Sequence, residues 1–442
     1  MILTKKFHIH TFGCQMNVHD SEKIAGIFSE TGYDAADGSN DADVIVLNTC
    51  SIREKAEQKF YSELGRLKKA KQQNPNLKIA VAGCIAQQRG NTIFKRFPYV
   101  DFILGPNNID SIGSWIDDRT ESTEHRVQTT AVKDNPGYHT KILPIKREGQ
   151  VRAWVSIMYG CDNFCAYCVV PYTRGRERSR PWADIYNEIE LLAEQGFKEI
   201  TLLGQNVNSY GKNLVEDSDF PGLLEKIHKI DGIQRIRFVT SHPRDFSGKL
   251  INAMRDLPKV CEHLHLPVQS GSDKILHLMN RGYTFEDYKK KMGFLRNNIN
   301  NIAITTDIIV GFPGESDEDF ELTLNALSEI EYDGIFAFKY SKRPGTKALN
   351  LPGHIDEAVK SARLSKVLQL QESITFKKNK ALVGETMEIL VEGASANDPE
   401  KLTGRTKTNK IMNFAGDEKD IGDLVNVKIL EARQHSLNGE TT

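Results

Sequence analysis

The chain of 442 residues has no run of about 18 apolar residues, so no segment qualifies as a membrane-spanning helix. It also lacks an excess of charge of either sign. Lys and Arg number 58 against 59 Asp and Glu, a formal net charge of -1. That balance excludes a uniformly basic nucleic-acid coat, and any nucleic-acid partner would be gripped by local patches. The opening "MILTKKFHIHTFGCQMN" reaches a strand-like pattern without a long apolar signal region, so a cytoplasmic location is expected. Cysteine is scarce, with seven in all. In a long cytosolic chain, metal binding or catalysis is expected of them ahead of disulfides. Their distribution is uneven: Cys161, Cys165 and Cys168 crowd into "MYGCDNFCAYCVVPY" at C-x-x-x-C-x-x-C spacing, with no fourth cysteine nearby.

What the sequence does contain is soluble and globular in composition, 39% hydrophobic and 26% charged, and long enough for roughly three domains. The first ~120 residues repeat one theme. "FHIHTFGC", "DVIVLNTC" and "LKIAVAGC" are apolar, β-branched runs that each end in cysteine, and helix-like stretches follow at Asp20 to Glu30, Arg53 to Gln72 and Ala86 to Arg96. Strand–loop–helix three times over predicts a parallel sheet, whose ligands bind outside the carboxyl ends of the strands. Cys14, Cys50 and Cys84 take equivalent strand-end positions and are expected to converge.

The polar stretch Asp118–Gln150 reads as a linker. Six further strand candidates follow: "RAWVSIMY", "KEITLLG", "QRIRFVT", "CEHLHLPVQ", "IAITTDIIVGF" and "GIFAFKY", separated by helical patterns. Six β/α units fall short of a closed eight-fold barrel, so a partial (β/α)6 barrel is expected, with its active site at the carboxyl strand ends. From about Ala381 the pattern alternates like antiparallel strands joined by Gly- and Asn-containing turns, the mark of a small antiparallel β-barrel. The expected fold is therefore α/β, with domains over 1–125, 145–378 and 379–442.

The unpaired triplet carries the chemistry. Zinc sites use four ligands, commonly as two matched C-x-x-C pairs, and Cys161, Cys165 and Cys168 have no matching pair. An iron–sulfur cluster tolerates three thiolates and leaves one iron open for a substrate or cofactor. A C-x-x-x-C-x-x-C loop after the first strand of a partial barrel resembles the signature of radical S-adenosylmethionine (SAM) enzymes. The whole chain is similar to the methylthiotransferase branch of that superfamily, with an N-terminal cluster domain, a radical SAM core and a C-terminal RNA-binding TRAM domain. "GCQMNVHDSE" and "MYGCDNFCAYCVVPYTRGRERSRP" resemble the branch that makes 2-methylthio-N6-isopentenyladenosine beside the tRNA anticodon. Relatives acting on a ribosomal protein typically carry G-C-P-K-N where this chain has "GCQMN".

The resemblance implies two 4Fe–4S clusters, one on Cys14, Cys50 and Cys84 and one on Cys161, Cys165 and Cys168. It also implies two equivalents of SAM per turnover, one as methyl donor and one as radical source. The implied partners are a tRNA anticodon stem-loop and an external electron donor such as flavodoxin or ferredoxin, and the implied state is a monomer. A rival enzyme reading applies the same chemistry to a threonylcarbamoyladenosine tRNA or a protein side chain. A rival of another class is an RNA-binding protein with structural or redox-sensing clusters.

Other residues are expected to support this chemistry. Gln205 and Asn206 end the second barrel strand, where SAM's methionyl amine is met in that superfamily, although many members carry an acidic residue there. Gln269, Ser270 and Asp307 end the fourth and fifth strands and are candidates for ribose or carboxylate contacts. Arg174, Arg176, Arg178 and Arg180 alternate along "PYTRGRERSRP" and suit phosphate or carboxylate pairing through bidentate forks. Between Ala381 and Thr442, Lys401, Arg405, Lys407 and Lys410 form a local patch able to hold an RNA backbone. Cys261 pairs with no motif and reads as a buried, inert thiol.

Overall fold

The computed structural model describes residues 4–51, 54–117, 129–132, 143–147, 149–215, 218–396 and 398–442. These fall into two compact units. The first comprises Met1–Glu148, Met158–Asp162 and Cys168–Arg180, and the second Gly149–Ile157, Asn163–Tyr167 and Pro181–Thr442.

The first unit is built on a wholly parallel six-stranded sheet. In chain order its strands are Lys6–Phe12, Asp34–Ala35, Val44–Thr49, Lys78–Gly83, Phe102–Leu104 and Thr129–Ala131. In space the second strand lies outside the first, and the third to sixth follow on the first strand's other side. A parallel sheet covered on both faces needs apolar residues at successive positions, not alternating ones. "VIVLNT" meets that demand: Val44 and Val46 enter one core with Ile24, Phe28 and Ile112, while Ile45 and Leu47 enter another with Phe60, Leu64 and Ile93. The helices Gln15–Glu30 and Ser111–Asp117 supply the first core, and Glu54–Gln73 and Asn91–Arg96 the second.

Most of the expected linker lies outside the described residues. What is described there is ordered into the fold. Thr129–Ala131 is the sixth strand, and Lys146 N donates to the Glu22 carbonyl at 3.0 Å. Gly26 permits that approach, since a Cβ there would stand 2.3 Å from the Pro144 carbonyl oxygen.

The second unit carries the six expected parallel strands as two three-stranded sheets. Arg152–Ser156, Glu199–Leu203 and Arg235–Phe238 form one, and His263–His265, Ala303–Val310 and Gly334–Lys339 the other. A parallel bridge between Ile236 and Val260 continues the pairing between them. The fourth strand, His263–His265, is shorter than "CEHLHLPVQ" suggested, and beyond it Gln269 turns to φ +76°. Side-chain caps fix where the intervening helices begin: Ser316 and Asp319 form a reciprocal capping box before Asp317–Ile330, as Thr284 and Asp287 do before Phe285–Asn298.

The long helix Glu357–Lys380 then leads into a closed five-stranded barrel of Thr386–Ser395, Asp398–Thr406, Ile411–Phe414, Leu424–Ala432 and Leu437–Thr441. Its pairings are antiparallel except one. Ile411–Phe414 runs parallel to Leu437–Thr441 within the expected antiparallel barrel. Among the described residues no helix is long and apolar enough to cross a membrane.

Candidate functional site

Parallel register brings the three N-terminal thiols together. Phe12 is paired with Thr49, and Thr49 with Gly83, so the three strands end level with one another. The strand order reverses between the first and third strands, and Cys14 and Cys50 follow those two. In open α/β sheets such a reversal opens a ligand crevice at the carboxyl ends. Gly13 lies at φ +146°, and a Cβ there would stand 2.5 Å from Cys50 Cβ, so close approach of these loops requires glycine. The hydrogen bond with Cys50 lowers the Cys14 thiol to about 6, aided by the Arg174 charge and opposed by burial. Burial pushes the Cys84 thiol up, with the nearby Arg174 guanidinium opposing it.

The helix that starts behind Cys14 has an unusual interior. Asn17, His19, Asp20, Ser21, Glu22 and Lys23 are all buried. Buried polar groups require partners, and most of these are visible. Asn17 Nδ2 donates to Asn48 Oδ1 at 3.3 Å, Asn48 Nδ2 returns a bond to the Asn17 carbonyl at 2.8 Å, and Lys23 Nζ donates to Tyr159 Oη at 2.8 Å. Arg174 Nη2 donates to Asp20 Oδ2 at 2.7 Å, with the two side chains 4% and 2% exposed. The positive charge of the same guanidinium acts on the Cys84 thiol.

Arg174 was expected at an RNA or SAM surface, and its burial corrects that. Of its alternating companions, Arg176 is exposed and forks onto Asp162 at 2.6 and 3.2 Å, while Arg178 pairs through its backbone with Tyr159. Arg180 is half-buried, and its charge acts on His19.

The triplet cysteines each have a donor or a backbone tether. Cys161 N donates to the Gly175 carbonyl at 3.2 Å, and Gly160, at φ +71°, is packed so tightly that a Cβ would stand 2.0 Å from the Arg176 carbonyl oxygen. Val170 N donates to Cys168 Sγ at 3.5 Å. Cys165 Sγ accepts from Arg281 Nη1 at 3.4 Å. The Arg281 guanidinium is buried and also bonds Tyr167 Oη, Tyr283 Oη and the Pro267 carbonyl. Its only sequence signal was an arginine in "MNRGYTFEDY", too ordinary to single out. Among the described residues no three His, Cys, Asp or Glu side chains stand at single-ion coordinating spacing. N–H donors aimed at thiolate sulfur, as from Arg281 and the Val170 backbone, are hydrogen bonds of the kind that tune such clusters.

The proposed SAM residues divide into two groups. Among the described residues Gln205 has no partner for either of its buried amide atoms, and neither has Asn208. Asn206 Nδ2 bonds Asp245 at 2.7 Å, while its Oδ1 lacks a partner among the described residues. Gln269 Oε1 is similarly orphaned, and its left-handed backbone is a strained conformation for a non-glycine residue. Buried amides without partners fit a ligand bearing amine and carboxylate groups. Ser270 differs, because its hydroxyl serves the turn through Thr323 Oγ1 and Ser272 N, both at 3.2 Å. Asp307 stands 3.5 Å from His265 Nε2.

In the terminal barrel, all four basic candidates are engaged within the second unit. Arg405 Nε lies 3.2 Å from Glu392, Lys410 Nζ bonds Asp333 at 3.3 Å and Asn379 at 2.9 Å, and Lys407 Nζ donates to the Pro258 carbonyl at 3.1 Å. Lys401 pairs at the surface with Asp398 at 3.0 Å. Cys261 is buried and its thiol is pushed up to about 11 by burial, as suits an inert group.

Comparison with known proteins agrees with this architecture. Family models match in three blocks: "Uncharacterized protein family UPF0004" over residues 6–105, "Radical SAM superfamily" over 155–327 and "TRAM domain" over 380–442. A protein of Thermodesulfovibrio yellowstonii named tRNA-2-methylthio-N(6)-dimethylallyladenosine synthase is 55% identical over 434 residues, 98% of each chain. One of the same name from Moorella thermoacetica is 48% identical over 438 residues, 99% of this chain and 98% of that one. Among solved structures, the radical SAM methyltransferase TsrM from Kitasatospora setae superposes with TM-score 0.54 at 13% identity, covering 78% of this chain and 74% of that one. The likeness to TsrM is one of fold. With its two three-cysteine sets in place and near-full-length identity to these relatives, the chain belongs to the tRNA-2-methylthio-N(6)-dimethylallyladenosine synthase family of radical SAM enzymes.

Proposed function

We propose that this enzyme converts N6-isopentenyladenosine beside the tRNA anticodon to its 2-methylthio derivative. The observation that carries the reading is the meeting of Cys14, Cys50 and Cys84 at the sheet's reversal point, in a chain that also holds a separate C-x-x-x-C-x-x-C loop. Cys161, Cys165 and Cys168 would hold one 4Fe–4S cluster, and Cys14, Cys50 and Cys84 an auxiliary one. The clusters supply one-electron chemistry for breaking an aromatic carbon–hydrogen bond, which side-chain acids and bases cannot do.

The protein's own share is binding and orientation. Gln205, Asn206, Asn208 and Gln269 would bind SAM through the buried amide atoms that lack partners among the described residues, two molecules being used per turnover. Arg281 would fix the Cys165 thiolate. The strand Gly334–Lys339 offers a wall for the base. Lys339 turns outward to Ser361 of the long helix, so Phe336 and Phe338 occupy the opposite face, where they are 52% and 38% exposed. Phe336 meets His265 edge-on at 5.8 Å, and His265 contacts Asp307. Bases splayed out of single-stranded loops stack on aromatic rings presented this way.

The reading extends to a cytoplasmic monomer that accepts an anticodon stem-loop and takes electrons from a flavodoxin- or ferredoxin-like donor. The test is mass spectrometry of tRNA nucleosides from a strain lacking the gene. Loss of the 2-methylthio nucleoside with accumulation of N6-isopentenyladenosine is expected. Persistence of the 2-methylthio form would overturn the assignment.

A further inference from the structure

We infer that the buried Arg174–Asp20 pair sets the reduction potential of the auxiliary cluster, with Arg174 raising it and Asp20 holding the guanidinium in place. The inference rests on the auxiliary-cluster reading given above. Taking an ion pair out of water costs several kcal/mol per ion, so burying one for stability alone is a poor use of it. Here the pair is also incompletely satisfied, because Asp20 Oδ1 is buried and has no hydrogen-bond partner among the described residues. Arg174 donates to Asp20 at 2.7 Å, and its charge acts on both the Cys84 and the Cys14 thiols.

The wider surroundings are cationic. Lys23, Arg147, Arg174 and Arg180 all act on the buried His19, whose pKa burial first, and these charges next, hold well below the usual range. Against them stand the buried carboxylates of Asp20 and Glu22. An interior with surplus positive charge beside three converging thiols is matched to an anionic iron–sulfur group. Net charge and hydrogen bonds to sulfur are the levers that fix such a group's potential. Arginine suits the task better than lysine, because its guanidinium keeps its charge when buried, whereas a buried lysine shifts its pKa readily. Arg174 is held for this from behind, since its carbonyl accepts from Asn107 Nδ2 at 3.3 Å. A higher potential makes the auxiliary group a better acceptor of the electron released when a carbon–sulfur bond forms from a carbon-centred radical and a thiolate.

The test uses the full chain carrying Cys161→Ala, Cys165→Ala and Cys168→Ala, reconstituted anaerobically so that the auxiliary cluster alone remains. Iron and sulfide are counted, and the midpoint potential is read by a redox titration followed by electron paramagnetic resonance. Arg174→Gln is expected to move the midpoint negative by about 59 mV, a tenfold change in the one-electron reduction equilibrium. Asp20→Asn is expected to move it positive, and Arg174→Lys to fall between Arg174→Gln and the parent. Shifts of opposite sign are what an electrostatic role demands, whereas packing damage gives no such pairing. Unchanged midpoints in variants that keep their iron, or shifts of the same sign, would overturn the inference. Should Arg174→Gln lose its cluster, the sign of the Asp20→Asn shift decides alone. A parent that binds no cluster defeats the auxiliary-cluster reading itself, a result distinct from the others.

Discussion

Arg237 Nη2 donates to the Thr406 carbonyl oxygen at 2.7 Å, tying the third strand of the half-barrel to the terminal barrel. Its Nη1 reaches the Lys407 carbonyl at 3.0 Å and its Nε the Glu199 carboxylate at 2.8 Å. Arg235, on the same face two residues earlier, donates to the Arg405 carbonyl and to Glu388. The docking is therefore made by arginine forks on carbonyl oxygens of the very segment whose lysines and arginine look, in sequence, like an RNA grip.

Replacing Arg237 with Met removes all three bonds and leaves Glu199, 2% exposed, as an unpaired buried charge. Removing one partner of a buried pair costs about 3–5 kcal/mol. Urea denaturation is expected to show a loss of that size for Arg237→Met and a smaller one for Arg237→Met with Glu199→Met. A loss below about 1 kcal/mol for the first variant would show that Glu199 finds other partners or water.

The four basic residues of the terminal barrel are expected to separate. Lys410→Ala leaves Asp333, 9% exposed, with one fewer cation and should lower the melting temperature measurably. Lys401→Ala breaks a pair that is 41% exposed on both sides and should leave stability within about 0.5 kcal/mol. If tRNA affinity falls in Lys401→Ala with a shallower salt dependence, Lys401 is the phosphate contact. Equal melting temperatures for the two variants would contradict the docking role of Lys410.

The cysteine sets were legible because each N-terminal cysteine closes an apolar, β-branched run, and parallel strands of similar length end level. The half-barrel was legible for the same reason, as six apolar runs separated by amphipathic helices. The polarity of "NVHDSEK" was misleading, since a helix of such residues ordinarily faces solvent. It is buried because its partners come from distant segments: Arg174 lies 154 residues from Asp20, and Tyr159 lies 136 from Lys23. Local pattern carries no trace of such pairings. The docking arginines were missed likewise, because a strand reading "RIRF" does not reveal what lies beyond its edge.

The two cysteine sets should be separable in metal content. Reconstituted protein is expected to hold about eight irons, and either triple alanine variant about four. Replacing Cys161, Cys165 and Cys168 should abolish 5′-deoxyadenosine formation, while replacing Cys14, Cys50 and Cys84 should spare it and stop methylthiolation. Cys261→Ser should change neither count. Eight irons in the Cys14, Cys50 and Cys84 variant would remove these residues from the ligand set.

SAM affinity should depend on the orphaned amides more than on Ser270. Gln205→Ala deletes two buried groups that lack partners among the described residues, and dialysis binding is expected to weaken about tenfold, near 1.4 kcal/mol. Ser270→Ala removes a turn bond and should lower stability with SAM affinity little changed. The opposite order of effects would reassign the methionyl contact.

Phe336 is the clearest test of where the substrate base rests. A phenylalanine 52% exposed on a strand, beside another two positions along, leaves apolar surface uncovered that a flat ligand can cover. Base–aromatic stacking is worth about 1–3 kcal/mol, so Phe336→Ala should raise the KM for an isopentenyladenosine-containing anticodon stem-loop by roughly 5- to 150-fold. Phe336→Tyr keeps the ring face and should restore most of that loss. The half-exposed position leaves folding nearly unaffected by either change, and SAM affinity serves as the internal control. If Phe336→Ala and Phe338→Ala both leave KM unchanged, the base lies elsewhere and this strand is a scaffold.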